Sequence, residues 1–432
     1  MYPNLYYFFK DAFGINLGFL RFINSFGFFV AIAFLVAAGI LGLELRRKSK
    51  QGLFHPTEMK ITAGKPAATG ELLLNFILGF ILGYKILALF FLSSDATRDP
   101  QAYIFSRMGS LPVGLITGLI FAGLKWWEKK KGQLQKPEER VVRIWPEDRV
   151  GEFTIIALVV GLLGAKLFDI FENWTDFLKD PGSYIFSGGG LTFYGGLICA
   201  TAVIIWYAVK YKINVRHLAD AMAPTLMIAY AIGRIGCQVA GDGDWGIYNS
   251  GYKVVATHIV AAQLHEFNDT IIAHRDYFYR IENLEHQGQE HYTFQKPASL
   301  SFLPDWFFAY QYPHNVNEAG LKIDGCDEKY CNQLPVPVFP TPLYETITCT
   351  FLFLILWSLR KRMKLAGSLF CLYLILNGVE RFFIEKIRVN NKMNFFGLHP
   401  TQAEVISAAL VIIGAGLWIF LLQKDRAREK NL

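Results

Sequence analysis

The apolar residues of this chain fall into blocks of about twenty, the length an α-helix needs to cross ~30 Å of hydrocarbon. Nine such blocks run over 22–45, 71–93, 109–126, 152–173, 190–210, 217–239, 342–359, 367–388 and 402–422, in a chain of 432 residues that is 53% hydrophobic. The third and fifth carry the weakest pattern. Because only helices satisfy every backbone group within such a block, the expected fold is an all-α polytopic membrane protein with about nine transmembrane helices.

A net charge of +7 raises the question of a nucleic-acid partner. The basic residues answer it by their placement at alternate block ends. Arg46, Arg47, Lys48 and Lys50 follow block one, Lys129 to Lys131 block three, and Lys210, Lys212 and Arg216 block five. Arg360, Lys361, Arg362 and Lys364 follow block seven, and Lys424, Arg426, Arg428 and Lys430 block nine, while the intervening short loops carry few Lys or Arg. These are topology signals rather than a nucleic-acid footprint, and they put the N-terminus outside and the C-terminus in the cytoplasm. Residues 1–21 lack the basic start of a signal peptide and read as an interfacial amphipathic segment.

The division expected from this pattern is an N-terminal segment 1–21, a first membrane part 22–240, a polar region 241–341, a second membrane part 342–423 and a tail 424–432. Residues 50–70 and 127–151 are polar and cytoplasmic by the same assignment. The region 241–341 falls between spans six and seven, on the outside, and is aromatic enough to fold as a small head with some strand content. Of six cysteines, Cys199, Cys237, Cys349 and Cys371 lie in or near spans and read as buried thiols. Cys326 and Cys331, in "GCDEKYCNQ", favour a local disulfide in an oxidising compartment. A metal pair is the alternative, weakened because no second Cys/His pair stands at zinc spacing. Neither metal nor cofactor is called for.

Ionisable groups within apolar blocks are costly, so each is a functional candidate unless it reaches the interface. Block six begins at Asp220 and carries Arg234 near its outer end, before the glycine-rich loop "AGDGDWG". Block eight carries Glu380, Arg381, Glu385, Lys386 and Arg388. Arg381 and Glu385 are four apart on one helical face with Arg388 a turn further, a charged stripe that is either an interhelical salt bridge or a ligand site. Arg388, nearer the end, is expected to be the more exposed. Lys166 and Asp169 in block four are spaced for a mutual pair, and Lys85 in block two has no evident partner.

The segment "SGGGLTFYGGLI", 187–198, places Gly189, Gly190, Gly195 and Gly196 around Tyr194 at the start of block five. Such glycines serve either close helix packing and a tight turn, or backbone N–H donors at a helix N-terminus that take an anion. With Arg234 and Arg381 assigned to the same outer boundary, two planar guanidinium forks and a glycine-lined helix start suit a phosphate diester.

At this point "GRIGCQVAGDGDWG" (233–246) resembles the signature of the bacterial prolipoprotein diacylglyceryl transferase family, approximately G-R-x-G-[NC] followed by an acidic loop and a closing glycine. "GGGLTFYGGL", "FPTPLYE" (339–345), "GVERFFIEKIR" (378–388) and "TQAEVISAALVIIG" resemble further family segments in the same order. The resemblance covers roughly 22–45, 148–250 and 335–423, and the blocks at 71–126 are two spans beyond the family's usual seven. It implies transfer of the diacylglyceryl group of phosphatidylglycerol to the lipobox cysteine of prolipoprotein signal peptides, in the bacterial inner membrane, with release of glycerol phosphate. It further implies that Arg234 and Arg381 are the family's essential arginines, Asp242 its loop acid, Gly246 its loop-closing glycine, and Glu385 and Arg388 its stripe. Three positions depart. Tyr194 stands where the family has His, Cys237 where it has Asn, and Phe26 where its first span has Tyr. An unperturbed tyrosine, with a pKa near ~10, replaces a histidine base poorly, so the group that takes the thiol proton stays open.

A lipid or small-molecule transporter is the competing class, since charges in spans also line transport paths. A scaffold with an exported head is a third. The charge pattern itself generates a test of the topology: compartment reporters fused after Lys50, Lys131 and Leu432 should report cytoplasm, and one after Gly288 the outside. A cytoplasmic signal at Gly288 would overturn the assignment.

Overall fold

The computed structural model describes residues 1–90, 103, 108–186, 190, 192–255, 258–281, 291–390, 393 and 399–430. Among these are nine long helices: α1 (Ser25–Lys50), α2 (Thr69–Ile81), α3 (Leu111–Lys131), α4 (Val150–Glu172), α5 (Phe193–Lys210), α6 (Val215–Ala240), α7 (Thr341–Leu359), α8 (Ser368–Glu385) and α9 (Gln402–Lys430). Each coincides with one apolar block. Seven are long and apolar enough to cross a membrane, α2 together with the turn that continues it to Ile86. The other two are α3, whose C-terminal end is a run of Trp and Lys, and α8, which carries Glu380, Arg381 and Glu385 within eighteen residues. Block five, expected to be weak, meets the criterion, and block eight does not.

The chain forms two compact units. The first comprises Met1–Phe8, Ile23–Leu41 and Arg216–Leu432. Its helical part is built on α6, α7 and α8, whose Ala223, Met227, Ala231, Cys349, Leu352, Leu356 and Leu369 are buried against one another. Asp220, singled out above as an ion in an apolar block, is spent locally: its carboxylate accepts the Gly367 and Phe370 N–H groups at 2.9 and 3.2 Å, satisfying donors at the start of α8. Along α9, glycine lets backbones touch. A Cβ at Gly378 would collide with the Ser407 carbonyl, and one at Gly414 with Leu374 and Ile375. The start of α1 is fixed by Asn24, whose side chain accepts the Phe26 N–H at 2.8 Å, and its Phe26 and Phe29 pack over Gly236 of α6.

The described residues between 241 and 340 fold around Tyr248, Phe267, Ile271, Phe278, Tyr312, Leu334, Val336 and Val338. Short strands contribute, including the antiparallel pair Tyr252–Val255 and His258–Ala261. Buried Asn249 and Asn315 replace regular ladders by bonding loop backbone directly: Asn249 accepts from Gly251 and Phe294, and Asn315 donates to Tyr312 and Ala319. The head is tied to α6 by Val316 N–H to Ala240 O (3.0 Å) and by the Tyr312 hydroxyl to Gln238 (2.8 Å).

The second unit comprises Phe9–Phe22 and Gly42–Val215. Here β1 (Thr57–Ala63) and β2 (Glu138–Ile144) pair antiparallel, from Thr57 opposite Ile144 to Ala63 opposite Glu138. The sequence reading left both stretches as polar connections. Between them α2 and α3 pack closely, because Gly79, Gly83, Gly114 and Gly118 leave no room for a Cβ between the helices. The two helices are therefore the body of a ribbon-based hairpin. Lys85 is not without partners: it donates to the Tyr103 and Met108 carbonyls at 3.0 and 2.8 Å.

In the head, the Cys326 and Cys331 sulfurs are joined, with their Cα atoms 5.6 Å apart. Closing so short a loop stabilises by roughly 2 kcal/mol in the chain-entropy model. Replacing both cysteines by serine should therefore increase proteolysis of the head without abolishing folding, and peptide mapping of the native protein without reductant should recover the linked pair. Recovery of two free thiols would contradict the pairing.

Candidate active site

The site in the first unit is assembled from four segments: the end of α6, the loop 241–246, the start of α7 and the end of α8 with the residues just beyond it. Its centre is a carboxylate. Glu345, on the first turns of α7, is fully buried. Its Oε1 accepts the Tyr230 hydroxyl at 2.9 Å and Arg381 Nη1 at 2.9 Å, and it meets Arg388 Nη1 at 3.5 Å. Its Oε2 lies 2.8 Å from Arg234 Nε, an ion pair rather than a directed hydrogen bond. One carboxylate thus faces three guanidiniums.

A second bridge closes the cluster from the loop side. Asp244 accepts from Arg234 Nη1, and its other oxygen accepts from Arg388 Nη2 at 2.7 Å. Arg381 also meets Glu385 across one helical turn at 3.3 Å. Glu385 in turn accepts from Asn390 and the Thr401 hydroxyl at 2.6 and 2.7 Å, which fixes the chain leaving α8. Three arginines stand against Asp244, Glu345 and Glu385, and the Arg234 guanidinium lies over the Tyr230 ring, 5.2 Å from its centre. The charges balance, and the guanidinium forks remain partly open: the Arg234 and Arg381 side chains are 14% and 21% exposed, and Asp244 is 37% exposed.

Local sequence explains how the loop holds this position. Gly241 and Gly243 adopt φ of +65° and +94°, values that side-chain-bearing residues rarely take. Trp245 packs on Tyr312 of the head, the ring centres 5.0 Å apart and the planes tilted by 37°. Gly246 N–H bonds Phe339 O at 2.8 Å, and a Cβ there would strike the Ile387 carbonyl, so only glycine lets the loop lie against the segment after α8. The Thr341 hydroxyl donates to Asp244 O at 2.8 Å, joining the loop to α7. Asp244 is consequently aimed between Arg234 and Arg388.

Two loop acids behave differently. Burial would raise the Asp244 pKa, but Arg234 and Arg388 hold it below the usual carboxylate range. Burial raises that of Asp242, and the Cys237 thiol, the Asp244 N–H and Arg234 offset it only in part. Asp242 accepts the Asp244 N–H at 3.3 Å and lies beside Cys237. Donor atoms of Cys237, Asp242 and Asp244 fall within 4.8 Å of one another, a spacing that could hold a metal. The arginines already claim Asp244, which argues against that use. Cys237 is buried, with its sulfur 3.7 Å from Arg234 Nη1.

The structure brings Arg234, Arg381, Glu385, Arg388, Asp242, Cys237 and Gly246 into one cluster, with Phe26 packed against Gly236, the residue before Cys237. Two details differ from the sequence reading. First, Arg388 is not a further turn of the helical stripe: α8 ends at Glu385, and Arg388 sits in extended backbone bridged to Gly246. Second, its side chain is 9% exposed against 21% for Arg381, because the loop covers it. Sequence reasoning missed Glu345, Asp244 and Tyr230 as members. The resembling segment "FPTPLYE" contained Glu345, and the spacing of Tyr230 and Arg234, one helical turn, was the available signal for the third.

The glycine segment belongs to the second unit, where Gly189 lies outside the described residues. Gly190 has φ of +68° and sits against the Asp169 carboxylate. Asp169 is 3.8 Å from Lys166, whose Nζ reaches Gly190 O at 3.4 Å. Gly195 and Gly196 are buried on α4, meeting Phe168 and the Gly164 and Gly161 backbone. Gly195 and Gly196 thus serve close helix packing and Gly190 a turn. Tyr194, on the first turn of α5, is half-buried and contacts Phe193 edge-on at 5.7 Å.

Comparison with known proteins follows the same segments. Residues 113–420 match the family model described as prolipoprotein diacylglyceryl transferase. A protein of Dehalococcoides mccartyi named phosphatidylglycerol–prolipoprotein diacylglyceryl transferase is 26% identical over 342 residues, 77% of this chain and 97% of that relative. Proteins of the same name from Shouchella clausii and Streptococcus pyogenes are each 25% identical, over 74% and 65% of this chain and 91% and 81% of their own. With the family model matched from α3 into α9, this chain belongs to the prolipoprotein diacylglyceryl transferase family.

Proposed function

We propose that this chain transfers the diacylglyceryl group of phosphatidylglycerol to the cysteine thiol of a prolipoprotein lipobox, forming a thioether and releasing glycerol phosphate. The observation that carries this reading is the cluster of Arg234, Arg381 and Arg388 around buried Glu345, in a chain whose relatives bear the name of that reaction. Displacement at a glycerol carbon expels a phosphate whose charge grows as the C–O bond breaks. Preorganised guanidinium donors stabilise that charge without reorganising at the moment of reaction. The lipid phosphate would compete with Asp244, the most exposed of the three bridging acids, for the forks of Arg234 and Arg388. Glu345 keeps the arginines from repelling one another when no lipid is bound.

The setting that fits this chemistry is the bacterial inner membrane, with α1–α9 as nine spans, the N-terminus outside and the C-terminus in the cytoplasm. Residues 241–341 then form an extracytoplasmic head above the site, where lipobox-bearing signal peptides arrive. In this reading Gly246 and Cys237 shape the pocket and Phe26 borders it, while Gly190, Gly195 and Gly196 fix the start of α5, which carries Tyr194. Tyr194 orients lipid or thiol by hydrogen bonding.

The arginines provide the test. Arg234→Lys and Arg381→Lys keep the charge but lose the planar fork, and each should reduce thioether formation on a lipobox peptide by about 10²-fold or more, the loss typical of one preorganised donor. Arg388→Ala should cost as much as Arg381→Ala, since Arg388 is the more buried and bridges Asp244 to Glu345. Tyr194→Phe should lower the rate and Tyr194→His should retain transfer. Near wild-type transfer by both Arg→Lys variants, in protein shown to insert normally, would overturn the assigned site.

A further inference from the structure

The reaction proposed above leaves one proton without a destination, and the present inference rests on that reading. A substrate thiol attacks as thiolate, so a group at the site must take its proton. The carboxylates of the cluster differ in what already holds them. Glu345 faces three arginines, Asp244 two, and Glu385 one together with Asn390 and Thr401. An anion held in this way is a weak base. Among the described residues neither oxygen of Glu380 has a hydrogen-bond partner, but the residue is 5% exposed within the helix packing, out of reach of an arriving peptide.

Asp242 has the remaining carboxylate. It is half-buried rather than enclosed, it stands two residues before Asp244 on the same glycine-hinged loop, and it is held by the Asp244 N–H and the neighbouring Cys237 thiol rather than by an arginine ion pair. The titratable groups facing it are Cys237 and Arg234 from α6, Asp244 from its own loop and Tyr312 from the head. Arg234, the one cation among them, is committed to Asp244 and Glu345. We propose that Asp242 accepts the proton of the lipobox thiol and so supplies the base that the family's histidine position, here Tyr194, does not.

The step balances. The S–H proton passes to the Asp242 carboxylate, the sulfur lone pair forms the C–S bond, and the glycerol C–O bond breaks with its electron pair leaving on glycerol phosphate beside the arginines. Asp242 then returns the proton to water. Its burial holds the carboxyl above the ordinary aspartate range, which makes it a better base than an exposed aspartate. Because the base must be ionised, activity should fall as pH drops through that raised value.

The experiment compares two lipobox peptides, one with cysteine and one with selenocysteine, on full-length protein in phosphatidylglycerol vesicles. The selenol is ionised at neutral pH and needs no base. Asp242→Asn should slow the thiol reaction by about 10²- to 10⁴-fold. The loss should shrink as pH rises through the ordinary thiol range near ~8.5 and largely vanish with the selenol. Should Asp242→Asn fail to assemble, the wild-type pH profile carries the test: an acid limb with the thiol that is absent with the selenol supports the assignment. An equal defect with both peptides, an identical limb with both, or wild-type rates for Asp242→Asn on the thiol would overturn it. No transfer by the wild-type protein to either peptide would instead overturn the proposed function on which it rests.

Discussion

A single buried carboxylate organises the polar interior of the first unit. Glu345 draws Arg234 from α6, Arg381 from α8 and Arg388 from the segment beyond it, with the Tyr230 hydroxyl completing its shell. Without that charge three guanidiniums would be left facing one another in a desolvated seam. Leaving a buried ion uncompensated costs about 3–5 kcal/mol. The same convergence sets the path of the chain. Loop 241–246 can close on the cluster because Asp244 finds two of these arginines, and its glycines fit where other residues would strain or collide. A site that keeps three arginines close together, and lets one exposed aspartate give way to a phosphate, is suited to a leaving group that gains negative charge.

The parts of this arrangement that were legible in the sequence were those with a large local cost. Nine apolar blocks become nine long helices because backbone satisfaction leaves few alternatives at that length. Arg234, Arg381 and Glu385 stand out because charges within such blocks need compensation. Glu345 did not stand out: it lies near the start of a block, where an acid reads as an interface residue, and its partners are brought by helices far away in sequence. The choice between Asp242 and Asp244 was also invisible, since it depends on backbone turns at Gly241 and Gly243 rather than on residue type. Arg388 was read one turn along a helix that in fact stops at Glu385, where Asn390 and Thr401 take over its carboxylate.

Non-local pairing accounts for the rest. "TEMKITA" and "EERVVRI" are unremarkable polar connections until they are set side by side, when Glu58 falls opposite Arg143 and Met59 opposite Val142. The ribbon they form brackets α2 and α3 and gives them a common base in the second unit. The glycines of α5 carry a similar lesson. Read alone they suited an anion, whereas beside α4 they are contact points at Gly161, Gly164 and Phe168, and Gly190 makes room for the Asp169 carboxylate. The local pattern was the same in both readings, and only the partner helix distinguishes them.

The arginine cluster held by Glu345 is proposed to carry out diacylglyceryl transfer. The most direct test is to incubate the purified protein and its Glu345→Gln variant with labelled phosphatidylglycerol and a lipobox peptide, measuring thioether product and released glycerol phosphate together. Stoichiometric thioether and glycerol phosphate are expected from the wild-type protein, and a loss of about 10²-fold or more in a variant that remains inserted, because the arginines lose their common anchor. Absence of thioether with the intact protein, or an undiminished rate with Glu345→Gln, would contradict it.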